Sequence, residues 1–272
     1  MVTGFISRVL DFFIEHYFDA GFLGVIVYWL AYTIVTCSFI YFVRRLVGGW
    51  RLRDFGLTLT GFKSAVVRGL VIPAPVFILQ NIVTLLFIEY YLPMFSEGFK
   101  GFNFITALVL ALLIYPALTI LWASFHEEFR FRGYIQNLLE RELNPVTAII
   151  GTALFFAYSH YGNYLRFGLS GLMLLASLTC ILVPTLTFGL EYSVYRNLIV
   201  VMTTHTIIDG IPVWIGVAYY YYGITGGVVA AILLTIFFIL TAYIAKKEVN
   251  EFIKSCKNIL KGEYRTLSTA FY

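Results

Sequence analysis

Charged residues are scarce in this chain of 272 residues: Asp, Glu, Lys and Arg make up 12% of it, while 60% of the residues are hydrophobic. A soluble domain carries about 25% charged residues, so this supply cannot cover a water-exposed surface. The net charge of +4 is small and favours contact with anionic lipid headgroups over nucleic acid. Cysteine is scarce too. Cys37, Cys180 and Cys256 are odd in number and far apart, so each is more simply interpreted as a small core or interface residue than as part of a disulfide or a metal site.

Long apolar runs are abundant instead. They predict an all-α, polytopic integral membrane helical bundle of seven to eight transmembrane helices, at about 20 residues per span. We interpret residues 1–272 as a single membrane-embedded domain, with an amphipathic interfacial helix over 1–19 and a basic cytoplasmic tail over 246–272. The apolar runs are about 21–43, 65–92, 104–125, 146–158, 167–190, 198–222 and 226–245.

Residues within and between the apolar runs indicate where helices bend, where they end and which loop faces the cytoplasm. Pro73 and Pro75 predict a kink in the second run, because proline removes a helical hydrogen bond. Asn144-Pro145 predicts the end of one helix and the start of the next. The basic residues that follow the first run indicate a cytoplasmic loop.

A charged motif, His126-Glu127-Glu128-Phe129-Arg130-Phe131-Arg132, lies between two apolar runs. Ionisable groups at membrane depth are costly and therefore mark a site or a partner. Glu128 and Arg132 are four residues apart and can form an ion pair on one helix face. Glu127 points about 100° away and is free to face a cavity, where it could serve as a general base. The alternative interpretation is a solvated helix end at the membrane surface.

Two histidines complete the set of candidate residues. His160 ends the apolar segment Phe155–Ser159, and His205 lies in another apolar segment with Asp209 four residues later. That spacing would let Asp209 accept a hydrogen bond from His205 and fix its tautomer. Either histidine could instead be a buried residue satisfied by a backbone carbonyl.

Counting membrane crossings creates a conflict, because it places Glu127 near the cytoplasmic face and His160 near the opposite face. Two groups cannot cooperate across about 30 Å of hydrocarbon. Either an extra crossing exists near residues 117–140, or the run 146–158 does not span fully. We favour the extra crossing, which gives eight helices.

Three motifs in this order resemble a known family. Residues Glu127 to Arg132 fit E-E-x-x-x-R, Phe156 to His160 fit F-x-x-x-H, and His205 to Asp209 fit H-x-x-x-N with the last position changed. Together they resemble the CPBP (ABI) family of intramembrane proteases, whose members include the type II CAAX prenyl endopeptidases of the Ras-converting type. The resemblance covers about residues 115–210.

The resemblance implies an intramembrane endopeptidase that removes the C-terminal tripeptide from prenylated CAAX-type substrates. It implies that Glu127 activates water with the help of His160, and that His205 and Asp209 stabilise the oxyanion. Glu128 and Arg132 match positions of structural support. No cofactor is implied. The partners would be a prenylated peptide or protein and membrane lipids. The protein would lie in the cell membrane or an endomembrane, with its active site accessible from the cytoplasm.

Asp209 departs from the family pattern, because an ionised aspartate donates no hydrogen bond to an oxyanion. It could be protonated, or it could orient His205 as an acceptor, which we favour. Two other readings stay open. Glu127, His160, His205 and Asp209 form an acceptable ligand set for zinc, which would make a metal-dependent protease. The protein could also be a non-enzymatic immunity or scaffold membrane protein.

Overall fold

The computed structural model describes residues 22–87, 99, 101–166 and 169–263, and within these ranges all regular structure is helical. The all-α prediction is confirmed for this part of the chain. The interfacial helix predicted over 1–19 and the end of the predicted tail, 264–272, lie outside the described residues. Eight longer helices are described: α1 Phe22–Gly48, α2 Phe62–Val71, α3 Ala74–Leu86, α4 over 104–142, α5 Pro145–Arg166, α6 Gly171–Tyr195, α7 Leu198–Ile244 and α8 Lys246–Leu260. A one-turn 3-10 helix, Leu52–Phe55, lies between α1 and α2.

Three described helices are long and apolar enough to cross a membrane: α1, α6 and α7. The α2–α3 pair adds a fourth if it counts as one bent span. The protein is therefore an integral membrane protein of helical type, but the predicted count of seven to eight spans is not confirmed.

Proline and glycine break the long apolar runs where the sequence predicts. The axes of α2 and α3 differ by 49° at Pro73, which confirms the predicted kink. Helix α7 is interrupted at Gly223, whose φ of 63° and ψ of −159° are not helical. Both halves of α7 pack on the α2–α3 pair. Phe77 of α3 contacts Phe238 in the second half, with ring centroids 4.6 Å apart.

Helix α4 corrects the predicted extra crossing. Residues 104–142 form successive helical segments without a break, so no additional crossing forms near 117–140. Three of the segments are π-helical: Leu110–Ile114, Ile120–Ser124 and Phe129–Gln136. Insertions of this kind occur frequently at functional sites.

The turn at Asn144 settles the conflict over membrane depth. Its side chain accepts a hydrogen bond from the backbone N–H of Thr147 (2.9 Å) and so caps the start of α5. Helices α4 and α5 then pack antiparallel, as shown by Phe131 and Phe156, whose ring centroids are 4.7 Å apart. Glu127 and His160 lie at nearly equal distances along the chain on either side of this turn. They therefore reach the same depth.

Helix α8 covers one end of α5 and α6. Its apolar face packs Phe252 against Tyr195 and buries Ile259 beside Ile149 and Val194, while its lysines are on the exposed side. Residues 246–260 therefore form a basic helix with one apolar face packed on the bundle.

Candidate active site

Four helices meet around the charged motif, and together they bring all six predicted site residues into one cluster. Helix α4 supplies Glu127, Glu128 and Arg132 immediately before and within its third π-helical segment. Helix α5 supplies His160, α7 supplies His205 and Asp209, and α6 closes the back of the cluster.

The Glu128–Arg132 ion pair forms the buried base of the site. Both side chains are fully buried, with the guanidinium Nη1 3.1 Å from Glu128 Oε1. Arg132 also donates through Nη2 to the backbone carbonyl of Thr185 on α6 (3.2 Å). The rings of Phe156 and Phe188 lie 4.8 and 5.0 Å from its guanidinium carbon. A charge-assisted bond in such dry surroundings is strong and holds α4 against α6.

Glu127 lies beside this pair but faces solvent, with 20% of its side chain exposed. Its two oxygens approach one imidazole each: Oε1 is 3.9 Å from His160 Nε2, and Oε2 is 3.7 Å from His205 Nε2. Both separations are too long for direct hydrogen bonds and suit a bridging water.

His160 is held with a defined ring nitrogen toward Glu127. Its Nδ1 is 3.0 Å from the carbonyl oxygen of Phe156, and its ring stacks on the Phe156 ring with centroids 4.6 Å apart. A carbonyl only accepts, so Nδ1 carries the proton in this contact. In the neutral ring Nε2 is then an acceptor that points at Glu127.

His205 has a carboxylate beside each ring nitrogen, one of which the sequence did not predict. Its Nδ1 is 2.6 Å from Glu128 Oε1, and its ring stacks on Phe188 with centroids 5.0 Å apart. Asp209 Oδ2 lies 3.4 Å from the other nitrogen, Nε2, which also faces Glu127. The structure therefore adds Glu128 as a shorter contact at Nδ1, while Asp209 lies beside Nε2 as the spacing predicts, and the orienting role of Asp209 stays a prediction.

Other polar residues near this site lie outside the predicted set. Glu191 of α6 is fully buried, and its Oε1 is 2.9 Å from Thr204 Oγ1, next to His205 in the chain. Glu191 is a single acidic residue in a long apolar run. Because ionisable groups at membrane depth mark a site or a partner, its position in the sequence could have identified it as a candidate. His126, by contrast, faces away from the site and packs on Tyr32, with ring centroids 4.8 Å apart.

A zinc ion in a protein is held by three or four His, Cys, Asp or Glu side chains. Across the described parts of the chain, no group of three or more His, Cys, Asp or Glu side chains is placed to hold a metal. In the cluster itself, the Nε2 atoms of His160 and His205 face Glu127 at 3.9 and 3.7 Å. The predicted zinc set of Glu127, His160, His205 and Asp209 thus lies together without forming a ligand shell.

Residues 109–211 match the family model for Rce1-like proteins, described as type II CAAX prenyl endopeptidase Rce1-like. The chain carries an Rce1-like domain. The family predicted from the three motifs is thereby confirmed, and all six site residues fall within the matched segment. No curated protein and no solved structure matches the chain. The family is one of CAAX-type proteases that act within membranes.

Proposed function

We propose that this Rce1-like protein is an endopeptidase that removes the C-terminal tripeptide from prenylated CAAX-type substrates, using a water molecule activated by Glu127. The observation that carries the proposal is the position of the Glu127 carboxylate between two imidazole Nε2 atoms, at 3.9 and 3.7 Å. A water in that gap would lie within hydrogen-bond reach of the carboxylate and of His160.

In the first step, Glu127 takes a proton from this water as its oxygen forms a bond with the scissile carbonyl carbon. His160 supports the step by accepting through Nε2, because Nδ1 donates to Phe156. The proton held by Glu127 then passes to the leaving amine as the C–N bond breaks. No covalent enzyme intermediate is needed.

His205 would stabilise the negative charge of the tetrahedral intermediate. Carboxyl groups of Glu127, Glu128 and Asp209 surround its ring within 3.7 Å, which favours the imidazolium over the neutral form. As the imidazolium it donates from both nitrogens: Nδ1 to Glu128, and Nε2 to the oxyanion. One preorganised donor of this type is often worth about 3 kcal/mol. Asp209 then serves as the acceptor for Nε2 before substrate enters.

An apolar cavity of about 100 Å³ supports a lipid-modified substrate. It lies between α3 and α6, and its walls include Val76, Val83, Val183 and Pro184. Pro184 directly precedes Thr185, whose carbonyl accepts from Arg132. Part of an isoprenoid chain could rest there while the peptide extends toward Glu127.

The direct test is cleavage of a farnesylated C-terminal peptide by purified protein in detergent, with the products identified by mass. Release of the last three residues is expected from the wild type. Glu127→Gln keeps the shape of the side chain but removes its basicity, so turnover should fall by at least about a hundredfold, the usual contribution of a general base.

A matched control is Glu142→Gln, which makes the same change at an exposed position of α4. It should cleave like the wild type. Equal cleavage by Glu127→Gln and wild type would refute the assignment of the base, and no cleavage by the wild type of any prenylated peptide would refute the substrate class.

Exhaustive chelation should leave the wild-type rate unchanged, and a loss restored by added zinc would favour the metal-dependent alternative.

A further inference from the structure

Glu191 is a buried acid that the proposed reaction does not use. It lies on α6 with no solvent exposure, and its Oε1 contacts Thr204 Oγ1 of α7 at 2.9 Å. Its other oxygen, Oε2, has no hydrogen-bond partner within the described residues. Thr204 immediately precedes His205, so this contact acts on the part of α7 that carries the site.

The Thr204 hydroxyl has more acceptor oxygens around it than it has hydrogens to donate. Besides Glu191, its Oγ1 lies 3.0 Å from the carbonyl oxygen of Gly69 and 3.2 Å from that of Val200. A hydroxyl has one hydrogen, and carbonyl oxygens only accept. If the hydroxyl donates to either carbonyl, its contact with Glu191 is a hydrogen bond only when Glu191 carries a proton.

The titratable neighbours of Glu191 point the same way. They are Glu128 and Arg132 of α4, Tyr195 of its own helix and Cys256 of α8, and of these only Arg132 carries a positive charge. Arg132 nevertheless pairs with Glu128 and a backbone carbonyl, and forms no ion pair with Glu191 within 4 Å. A fully buried carboxylate without a cation or a full set of donors is costly, whereas the neutral acid needs only one acceptor.

We propose that Glu191 is a neutral carboxylic acid that donates to Thr204 and thereby acts as a positioning residue for His205. This hydrogen bond joins α6 to α7. The Thr204 hydroxyl then donates its own hydrogen bond to the carbonyl oxygen of Gly69 on α2 or of Val200 on α7. The neutral state also leaves the charge of Arg132 to Glu128, which holds Nδ1 of His205. The catalytic part of this inference rests on the proposed function, but the protonation state does not.

Infrared difference spectroscopy tests the protonation state without any substrate. Wild type minus Glu191→Gln at neutral pH should show the carbonyl stretch of a protonated carboxylic acid, which shifts in heavy water. The same difference for Glu142→Gln, an exposed acid, should lack that band. If the Glu191 difference shows only carboxylate bands, the acid is ionised and the proposal is wrong.

Peptidase kinetics test the positioning role. Glu191→Gln retains a donor toward Thr204, so its rate and its pH profile should match the wild type. Thr204→Val removes the contact and should lower kcat about tenfold with little change in KM, the effect expected for one buried hydrogen bond, whereas Thr204→Ser should restore the rate. A shifted pH profile in Glu191→Gln would overturn the proposal. If the wild type proves inactive, the proposed function fails, and the infrared result still decides the state of Glu191.

Discussion

Replacing Arg132 with methionine is the most informative perturbation of the cluster. The guanidinium and the Glu128 carboxylate are both fully buried and 3.1 Å apart, and the same Glu128 oxygen holds His205 at 2.6 Å. Without Arg132, Glu128 becomes a buried charge that has lost its permanent cation. Breaking a buried pair in this way costs about 3–5 kcal/mol.

Thermal unfolding in detergent measures this cost. At about 2–4 °C per kcal/mol for a chain of this size, Arg132→Met should lower Tm by about 10 °C. Glu128→Gln on its own should also destabilise the fold, because it leaves the Arg132 charge uncompensated. The double variant should be more stable than the sum of the two single effects predicts, by about 1.5 kcal/mol or more.

The control is Lys63→Met, which removes a cation from an exposed position on α2 and should change stability by less than about 0.5 kcal/mol. If the effects of Arg132→Met and Glu128→Gln simply add, the two groups do not act as a pair. A Tm for Arg132→Met equal to that of Lys63→Met would refute the reasoning entirely.

Two further predictions concern Asp209 and the packing of α2 on α7. Asp209→Asn should retain peptidase activity within about tenfold of the wild type, because the contact of Glu128 with the other ring nitrogen of His205 is unchanged and an asparagine can still accept at Nε2; complete loss in the peptide assay would contradict this. Gly69→Ala should lower stability by about 1–3 kcal/mol in the unfolding assay, because a Cβ there would lie 2.7 Å from Thr203 Cβ and meet the backbone of α7. The matched change Gly151→Ala has open space around it and should be neutral or stabilising by up to about 1 kcal/mol, and equal effects of the two changes would contradict the close approach.

Local signals in the sequence predict much of the fold. The kink at Pro73, the helix boundary at Asn144 and the interruption of α7 near Gly223 each depend on one residue type and its backbone preference. Such effects act within a turn of helix, so a single sequence reveals them. The motif spacings were equally informative, because Glu127, His160 and His205 do meet in one cluster.

Features that depend on how helices are placed in three dimensions could not be predicted. Counting membrane crossings placed Glu127 and His160 at opposite faces because hydropathy detects only the length of apolar runs. It does not show that residues 104–142 form one helix, or that this helix packs antiparallel to α5 and so brings Glu127 and His160 to the same depth. The contact between Glu128 and His205 joins residues on α4 and α7, and no spacing rule reports such a pair. Sequence reasoning instead assigned His205 to Asp209, its neighbour one helical turn away.

The charge balance of the cluster is consistent with the different roles that we propose for the two adjacent glutamates. Arg132 and an imidazolium at His205 supply two positive charges, and Glu128 together with Asp209 supplies two negative ones. If Glu191 is neutral, as we propose, these four charges balance, and Glu127 is a further carboxylate that faces the Nε2 atoms of both histidines. It is also the glutamate of the pair that is partly exposed, so water can reach it. A partly exposed carboxylate that faces two imidazole nitrogens across a water-sized gap is placed to take a proton from water, which is the step that the proposed hydrolysis requires.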